Sequence, residues 1–377
     1  YALSKVRRKY PMDPSVRLAL PDCPGLYRML RSNGDVLYVG KSSSLRRRVN
    51  SYFQTQTRHA EHILEMLTQA RNIDISTTDS ALEAALIESD EIKSLSPPYN
   101  VALRERDRAI GFCTADMQHF EARPSQSHRF GPVPSVEVFR LLPYLWEPRE
   151  SPQDPESSDF FDPSMLGFPK DRGPDAASLT SGLEEFRIKH RLFETMPTMV
   201  RLVASLGFEL WKVRQLERDK KEEESTNASD VDQGLGEAAK ESPEWNPERV
   251  VSLLESLTLR AAHLLRRARW FSWLSECSLA WQTVSSSSAR KNLIIICSGK
   301  IARLNTLRWD QPPPPPPGHL RRRADRQQCF DLATYDRLSI LTAELKRLSG
   351  SCRKIELRLG ERSTLTEVEL SRVLSWL

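Results

Sequence analysis

The stretch VLYVGKSSSLRRRVNSYF, residues 36–53, contains a Gly-Lys-Ser triplet, two tyrosines and three consecutive arginines. Gly-Lys-Ser is typical of a loop that binds nucleotide phosphates, but that loop needs another glycine five residues before the glycine of the triplet. Asp35 holds that position here, and the nearest glycine, Gly34, is one residue too far away. The residues DVLYV before the triplet are typical of a strand. The spacing therefore argues against a nucleotide-binding loop.

A second set of reactive side chains lies in and around the same stretch. GLYRML carries Tyr27, VLYVGKS carries Tyr38 and Lys41, and a carboxylate, Glu88, and an amide, Asn100, follow later in the chain. A strand tyrosine is more often a packing residue than a catalytic one, and a lone surface lysine or glutamate is usually only solvated. No member of the set indicates a reaction by itself, so the order and spacing of the whole set must decide.

Short strands and helices are predicted to position these side chains. GLYRML and DVLYVG are strand-like runs separated by RSNG, which predicts a hairpin. Ser43 or Ser44 can cap a helix that begins at Leu45. HAEHILEMLTQA has helical spacing, NIDIST alternates like a strand, and Ser80 with Glu83 forms a capping box at the start of a further helix. We therefore expect a small α+β domain.

These motifs, taken together, resemble the GIY-YIG nuclease family, in particular the amino-terminal nuclease of UvrC and its stand-alone relative Cho. The resemblance depends on GLY with YVG, on GKSxxLRxRVxSY and on IESDEIKSLSPPYNVALR, in which Glu88 precedes Asn100 by twelve positions. Leu26 replaces the usual Ile or Val of the family's first motif, and Val39 replaces the Ile of the second; both keep an apolar side chain. The resemblance covers about residues 20–108.

The resemblance implies a small antiparallel sheet flanked by helices, and a metal-dependent DNA endonuclease that hydrolyses a phosphodiester bond. It assigns catalytic roles to Tyr27, Tyr38, Lys41, Arg48, Tyr52 and Asn100, and metal binding to Glu88. One carboxylate can hold a hydrated Mg²⁺ or Mn²⁺ ion, because such ions complete their octahedron with water and substrate phosphate. No small-molecule cofactor is expected.

Each of these side chains has an expected task. Tyr38 is the candidate general base, and Lys41, three residues away, is expected to favour its phenolate form. Arg48 is expected to bind the phosphate and Tyr27 to orient water or the phosphate. Asn100 is expected to hold the site together rather than to react.

The DNA surface is predicted from arginines. Two short runs carry them, LRRR and LRERDR, and the candidates are Arg46, Arg47, Arg104, Arg106 and Arg108. Acidic residues are interleaved in the second run, which weakens it. No base-reading signature is recognisable, so recognition is expected to follow DNA shape or a partner.

Composition excludes several classes of protein. The 377 residues carry a net charge of +5, and six cysteines are scattered without a CxxC pair, which argues against a zinc site and a disulfide framework. No apolar run is long enough to span a membrane, and no signal peptide is recognisable. We expect a cytoplasmic protein, associated with the nucleoid of a bacterium.

The chain is predicted to contain several segments beyond the nuclease domain. They are a basic arm at 1–20, the GIY-YIG domain at 21–108, an extension with an FGPVPS turn at 109–145, a flexible linker at 146–180, a helical segment at 181–214, a flexible charged linker at 215–247 and an α+β region of unknown role at 248–377. The second nuclease and the hairpin motifs of full-length UvrC are not recognisable, which favours a Cho-like protein with one incision.

Three functions remain open at this level. The first is a Cho-like or UvrC-like incision 3′ to a lesion in nucleotide excision repair, with damaged double-stranded DNA and UvrB as partners by resemblance. The second is a DNA-binding or scaffold module without turnover, and the third is a nuclease for branched DNA or mobile elements. The chain begins at Tyr1, so an upstream DnaQ-like exonuclease domain, found in some relatives, would also fit.

Overall fold

The structure, a computed structural model, describes most but not all of the chain. The described residues are 10–54, 59–100, 109–134, 137–140, 142, 174–192, 198–227, 245–283, 290–318, 326, 330–350, 352–360 and 363–377. Contacts divide the chain into two compact units. The first unit comprises the described residues of 1–108, 273–321 and 329–375, and the second unit those of 109–272, 322–328 and 376–377.

The first unit begins with a three-stranded antiparallel sheet. After helix α1 (Pro14–Leu18), strands β1 (Gly25–Leu30), β2 (Val36–Ser42) and β3 (Asn72–Thr77) pair in the order β2-β1-β3. The predicted hairpin is present, and Gly34 supplies the positive φ of +91° that its turn requires. Because β1 lies in the centre, β2 is an edge strand, and one of its sides makes no hydrogen bond to the sheet.

Three helices cover this sheet, which confirms the predicted fold class. They are α2 (Leu45–Ser51), α3 (Glu61–Gln69) and α4 (Ala81–Leu95). Ser44 and Ser80 cap α2 and α4 by accepting backbone N–H groups of the residues three positions on. Alternation along the strands gives two apolar layers: Tyr27 and Met29 pack with α2 and α3, and Leu26 packs with α4.

The second unit contains a small sheet and four helices among its described residues. Strands β4 (Gly111–Cys113), β5 (Phe120–Glu121) and β6 (Phe130–Val133) pair in the order β5-β4-β6, and helices α5 (Glu137–Arg140), α6 (Ala176–Lys189), α7 (Met199–Asn227) and α8 (Pro247–Leu274) follow. Residues 130–133 are thus a strand rather than part of the predicted FGPVPS turn, because they pair with β4. Helix α7 extends into the segment predicted to be a flexible charged linker.

The remaining elements form a second sheet of the first unit. Strands β7 (Cys277–Thr283), β8 (Arg290–Cys297), β9 (Lys300–Arg308), β10 (Cys352–Arg358) and β11 (Thr364–Leu365) pair antiparallel in the order β11-β10-β7-β8-β9. Helix α9 (Leu332–Ser349) precedes β10, and α10 (Glu367–Leu374) follows β11. The predicted turn at Ser298 and Gly299 is present, with positive φ at both residues.

The packing of helix α9 explains which segments of the chain belong to the first unit. It packs against α4, and Lys93 of α4 pairs with Asp336 of α9 at 3.0 Å, with both side chains almost fully buried. The structure therefore groups β7 to α10 with the residues before 109, and it places most of α8 with the second unit. The boundary predicted at residue 248 does not coincide with this division, because sequence periodicity gives no information on packing partners.

Some sequence predictions fall on residues that the structure does not describe. They include Arg104, Arg106 and Arg108 of the predicted DNA surface, residues 1–9 of the basic arm and most of the predicted 146–180 linker. Within the described ranges, no helix has the length and apolar character needed to cross a membrane.

Candidate active site

The outer edge of β2 holds the predicted metal ligand and the predicted positioning residue. The backbone N–H groups of Val39 and Lys41 both point away from β1, since they are two residues apart on an edge strand. Val39 N–H donates to Asn100 Oδ1 at 2.9 Å, and Asn100 Nδ2 donates back to Val39 O at 2.8 Å. Lys41 N–H donates to Glu88 Oε1 at 3.0 Å. We call this arrangement, with these four residues, the β2 edge.

The β2 edge explains why two distant polar residues belong to one site. An unpaired backbone group buried away from water is unfavourable, and side chains commonly satisfy such groups at sheet edges. Asn100 is almost fully buried and satisfies both backbone groups of one residue. It therefore fixes the strand next to Tyr38.

Glu88 keeps one oxygen available. Its residue is half-buried, and among the described residues the only hydrogen bond it accepts is the one from Lys41 N–H to Oε1. Burial raises the pKa of Glu88, whereas Lys41 and Arg48 lower it, and the net shift is upward. A partly desolvated carboxylate with one oxygen available is a suitable ligand for a divalent cation.

Three tyrosines form a cluster beside this edge. The rings of Tyr27, Tyr38 and Tyr52 have centroids 6.1, 6.2 and 6.5 Å apart, and Tyr27 Oη lies 2.9 Å from Tyr52 Oη. Arg48 lies with its guanidinium 5.0 Å from the centroid of the Tyr52 ring and donates to Tyr52 Oη at 3.2 Å. We call these four residues the tyrosine cluster.

Gly40 makes the tyrosine cluster possible. It lies directly opposite Tyr27 in the β1–β2 ladder, and a Cβ at this position would lie 2.4 Å from Tyr27 Oη and 2.8 Å from Tyr38 Cε1. Only glycine leaves room for both rings. The glycine of the YVG motif is therefore explained by close packing of phenol rings rather than by a phosphate loop.

Tyr38 differs from the sequence expectation in its ionisation. Burial raises the pKa of Tyr38, and Tyr52 and Glu88 raise it further. Lys41 was expected to favour the phenolate, but residues three apart on a strand point to opposite faces. Lys41 Nζ instead lies 3.2 Å from Glu344 Oε1. The expected lowering of the Tyr38 pKa by Lys41 is therefore wrong.

The predicted DNA-contacting arginines of α2 are divided in their contacts. Arg46 donates through Nε and Nη2 to Leu18 O at 3.2 and 2.8 Å, so it joins α2 to α1. Arg47 is largely exposed, and its Nε lies 3.6 Å from Asp22 Oδ1. Of the two, Arg47 is better placed to contact a ligand.

Two residues near the site were not predicted from the sequence. His59 packs against Tyr52, with ring centroids 5.7 Å apart and the ring planes tilted by 32°, and its Nε2 lies 2.9 Å from Tyr52 O. The only sequence feature that could have indicated His59 is its position shortly after the SY of the arginine-rich motif. Glu344 lies far along the chain in α9, and nothing in the sequence near it indicates an active site.

Comparison with known proteins identifies the domain that carries this site. The family model described as the UvrC-like GIY-YIG domain matches residues 23–101, which include Tyr27, Tyr38, Lys41, Glu88 and Asn100. Residues 23–101 are a UvrC-like GIY-YIG domain. The assignment confirms the resemblance found in the sequence.

Curated relatives of the GIY-YIG domain carry the name UvrABC system protein C. The protein of Legionella pneumophila (strain Lens) is 40% identical over 130 residues, which is 32% of this chain and 21% of that protein. The protein of Sphingopyxis alaskensis is 42% identical over 130 residues, or 32% of this chain and 20% of that protein. The chain thus spans about a fifth of the length of these relatives.

A solved structure also aligns with the GIY-YIG domain. It is the GIY-YIG N-terminal endonuclease domain of UvrC from Thermotoga maritima, bound to its catalytic divalent cation, magnesium. The sequences are 29% identical, the alignment covers 24% of this chain and 100% of that chain, and the TM-score is 0.22.

The GIY-YIG domain of this chain fits a cation bound by few protein ligands. Within the described ranges, no group of three or more His, Cys, Asp or Glu side chains could hold a metal ion. Glu88 offers an oxygen that no described donor occupies, and Mg²⁺ often takes one or two carboxylates together with water and phosphate oxygens. The residues present therefore fit a hydrated Mg²⁺ or Mn²⁺ ion at Glu88.

Proposed function

We propose that this chain is a divalent-metal-dependent DNA endonuclease that hydrolyses a phosphodiester bond, with its active site in the GIY-YIG domain. The observation that carries the proposal is the convergence of Glu88 and Asn100 on two consecutive outward N–H groups of β2, beside a tyrosine cluster that contains Arg48. Residues 27 to 100 supply all of these groups, in the order and spacing of the matched family.

The site contains the chemical groups that phosphodiester hydrolysis requires. Arg48 supplies positive charge for the non-bridging oxygens, and Glu88 supplies a carboxylate oxygen for Mg²⁺ or Mn²⁺. Such an ion, when bound, supplies positive charge for the phosphate and a more acidic water. A tyrosine with its ordinary pKa of about 10 is protonated at neutral pH, and burial raises the pKa of Tyr38 further. We therefore assign Tyr38 to orienting the attacking water by hydrogen bonding.

Tyr27 and Tyr52 have supporting roles in this proposal. Tyr27 is almost fully buried and Tyr52 is buried, so neither reaches far into solvent. Their mutual hydrogen bond and the Arg48 contact to Tyr52 Oη hold the guanidinium at a fixed distance from Tyr38. We assign them to positioning Arg48 and Tyr38.

The names of the relatives support a proposal for the substrate and partners. We propose incision 3′ to a lesion in double-stranded DNA, in the manner of UvrC or Cho, with UvrB as the loading partner. The matched relatives are subunits of the UvrABC system by name, and the part they share with this chain is the GIY-YIG domain. We further propose that the reaction takes place in the bacterial cytoplasm, at the nucleoid.

Nicking of a lesion-bearing duplex tests the proposal. Wild type, Glu88→Gln and Glu61→Gln are compared with Mg²⁺ or Mn²⁺, with and without UvrB. Glu61 is an exposed residue in the first turn of α3, and it serves as a control for loss of one negative charge. We expect Glu88→Gln to lower the nicking rate at least about a thousandfold, because a site with one carboxylate loses its cation.

Other outcomes would redirect the assignment. If wild type with every partner binds the duplex but leaves it intact, the chain is a DNA-binding or scaffold module. If it cuts an undamaged fork without UvrB, the branched-DNA alternative is correct. Equal nicking by Glu88→Gln and wild type would refute the metal assignment.

A further inference from the structure

Helix α9 is firmly fixed to the helix that carries Glu88. Lys93 of α4 pairs with Asp336 of α9 at 3.0 Å, and their side chains are only 9% and 5% exposed. Arg337 Nη2 lies 2.6 Å from Asp90 Oδ1, and its Nη1 donates to Gly299 O at 2.7 Å. Breaking a buried ion pair by separating its partners is strongly unfavourable. The interface between α4 and α9 is therefore held by charged contacts that are unfavourable to break.

Glu344 reaches the site from this fixed helix. It follows Arg337 by seven residues, or two helical turns, and so lies on the same face of α9. Glu344 Oε1 lies 3.2 Å from Lys41 Nζ, and Oε2 lies 2.8 Å from Arg347 Nη2. Its side chain is only 13% exposed, while that of Lys41 is 38% exposed. Because Glu344 is held on both sides, its carboxylate is fixed beside Lys41.

The carboxylate of Glu344 changes the charge balance around Glu88. Lys41 donates its backbone N–H to Glu88, and the positive charge of its ammonium group repels a divalent cation bound there. The Glu344 carboxylate lies 3.2 Å from that ammonium group and offsets its positive charge. Offsetting a positive charge close to Glu88 strengthens the attraction between the Glu88 carboxylate and a divalent cation.

We propose that Glu344 is a second acidic group of the active site, which strengthens divalent-cation binding at Glu88 by pairing with the Lys41 ammonium group. Glu344 is a positioning residue in this inference and Glu88 remains the ligand. The inference rests on the proposed function, because it assumes a cation at Glu88. Glu344 lies outside residues 23–101, so the family match does not assign it.

The opposite role would be a gate in which Glu344 occupies the place of a DNA phosphate and leaves when DNA binds. The contacts of α9 disfavour a gate, because a departing helix would separate Lys93 from Asp336 and Arg337 from Asp90. A fixed carboxylate beside a metal ligand is more suited to tuning cation affinity.

Direct binding of Mn²⁺ to the full chain tests the inference without DNA. Titration calorimetry, or the loss of the free Mn²⁺ electron paramagnetic resonance signal, is measured for wild type, Glu344→Gln, Glu344→Asp, Glu88→Gln and the control Glu61→Gln. We expect Glu344→Gln to weaken Mn²⁺ binding about tenfold. Glu344→Asp retains the charge and is expected to recover most of the affinity, while Glu61→Gln matches wild type.

The variants separate failure of the inference from failure of the proposed function. If Glu88→Gln binds Mn²⁺ as wild type does, the metal assignment of the proposed function is wrong. If Glu88→Gln loses binding while Glu344→Gln binds as wild type, the inference is overturned. Unchanged Mn²⁺ affinity of Glu344→Gln together with tighter DNA binding would establish the gate instead. An unchanged melting temperature and circular dichroism spectrum for Glu344→Gln ensure that the comparison concerns binding.

Discussion

The tyrosine cluster and the β2 edge lie side by side in one small domain, but different forces hold them. The cluster is made by close contact: Tyr27 and Tyr52 are buried, they share one hydrogen bond, and Gly40 leaves room for the rings. The β2 edge is made by hydrogen bonds from Asn100 and Glu88 to backbone groups that the sheet leaves unused. Its other charged contact, Lys41 to Glu344, comes from a distant helix.

The difference indicates a division of labour. Packing tolerates little change of shape and fixes the rings. The β2 edge depends on hydrogen bonds and on charge more than on close packing. Because hydrogen bonds to ionised groups are stronger than those to neutral ones, loss of a charge at this edge should weaken it more than a change of side-chain shape. Substitutions that add volume should therefore damage the tyrosine cluster, whereas substitutions that remove charge or a hydrogen bond should damage the β2 edge.

The largest effect on stability is expected at Gly40 of the tyrosine cluster. Gly40→Ala places a methyl group 2.4 Å from Tyr27 Oη, and Tyr27 is too confined to move away. We expect the free energy of unfolding to fall by about 2–3 kcal/mol, measured by urea denaturation. Gly350→Ala is the matched control, because its Cβ would meet nothing within 4 Å and its φ is −96°. A small effect of Gly40→Ala would show that the cluster is loosely packed.

An intermediate effect is expected at Asn100 of the β2 edge. Asn100→Ala removes the partners of both Val39 N–H and Val39 O, so the free energy of unfolding should fall by about 2 kcal/mol. Asn33→Ala, in the exposed β1–β2 turn, should cost less than about 0.5 kcal/mol. Equal losses for the two variants would mean that water replaces the Asn100 amide, and that the edge is not held by it.

The smallest effect concerns the pH dependence of stability at Glu88. Because the pKa of Glu88 is raised in the folded chain, its contribution to stability is present below its ordinary value of 4.5 and is lost as the pH rises through the raised pKa. Without divalent cations, Glu88→Gln should therefore be more stable than wild type at pH 8, by about 1 kcal/mol or less. The difference should vanish near pH 4, as followed by thermal unfolding. A variant less stable than wild type at pH 8 would contradict the desolvation of Glu88.

Local elements of the fold were predicted well because their causes are local. The hairpin turn at Gly34, the caps at Ser44 and Ser80 and the turn at Ser298 and Gly299 depend on residues within a few positions of one another. One local prediction was wrong, and the reason is a contact with a distant part of the sequence. Residues 130–133 pair as a strand because β4 offers a partner, which no local signal reveals.

The candidate site was predicted only in part. Motif order brought together Tyr27, Tyr38, Arg48, Glu88 and Asn100, and the structure places these side chains around β2. The expected action of Lys41 on Tyr38 was wrong because spacing in sequence was taken as proximity, although strand residues three apart face opposite ways. The same strand geometry turns Lys41 towards Glu344.

The sequence by itself determined the identity of the GIY-YIG domain, its hairpin and caps, and the polar residues that its motifs contain, because all of these depend on residue type and short spacing. Only the tertiary structure decided which backbone groups Asn100 and Glu88 satisfy, and that α9 brings Glu344 to Lys41 across 303 positions of sequence. Helical periodicity specifies the face that a helix buries but not the surface that it meets. That surface is selected by the packing of the whole unit.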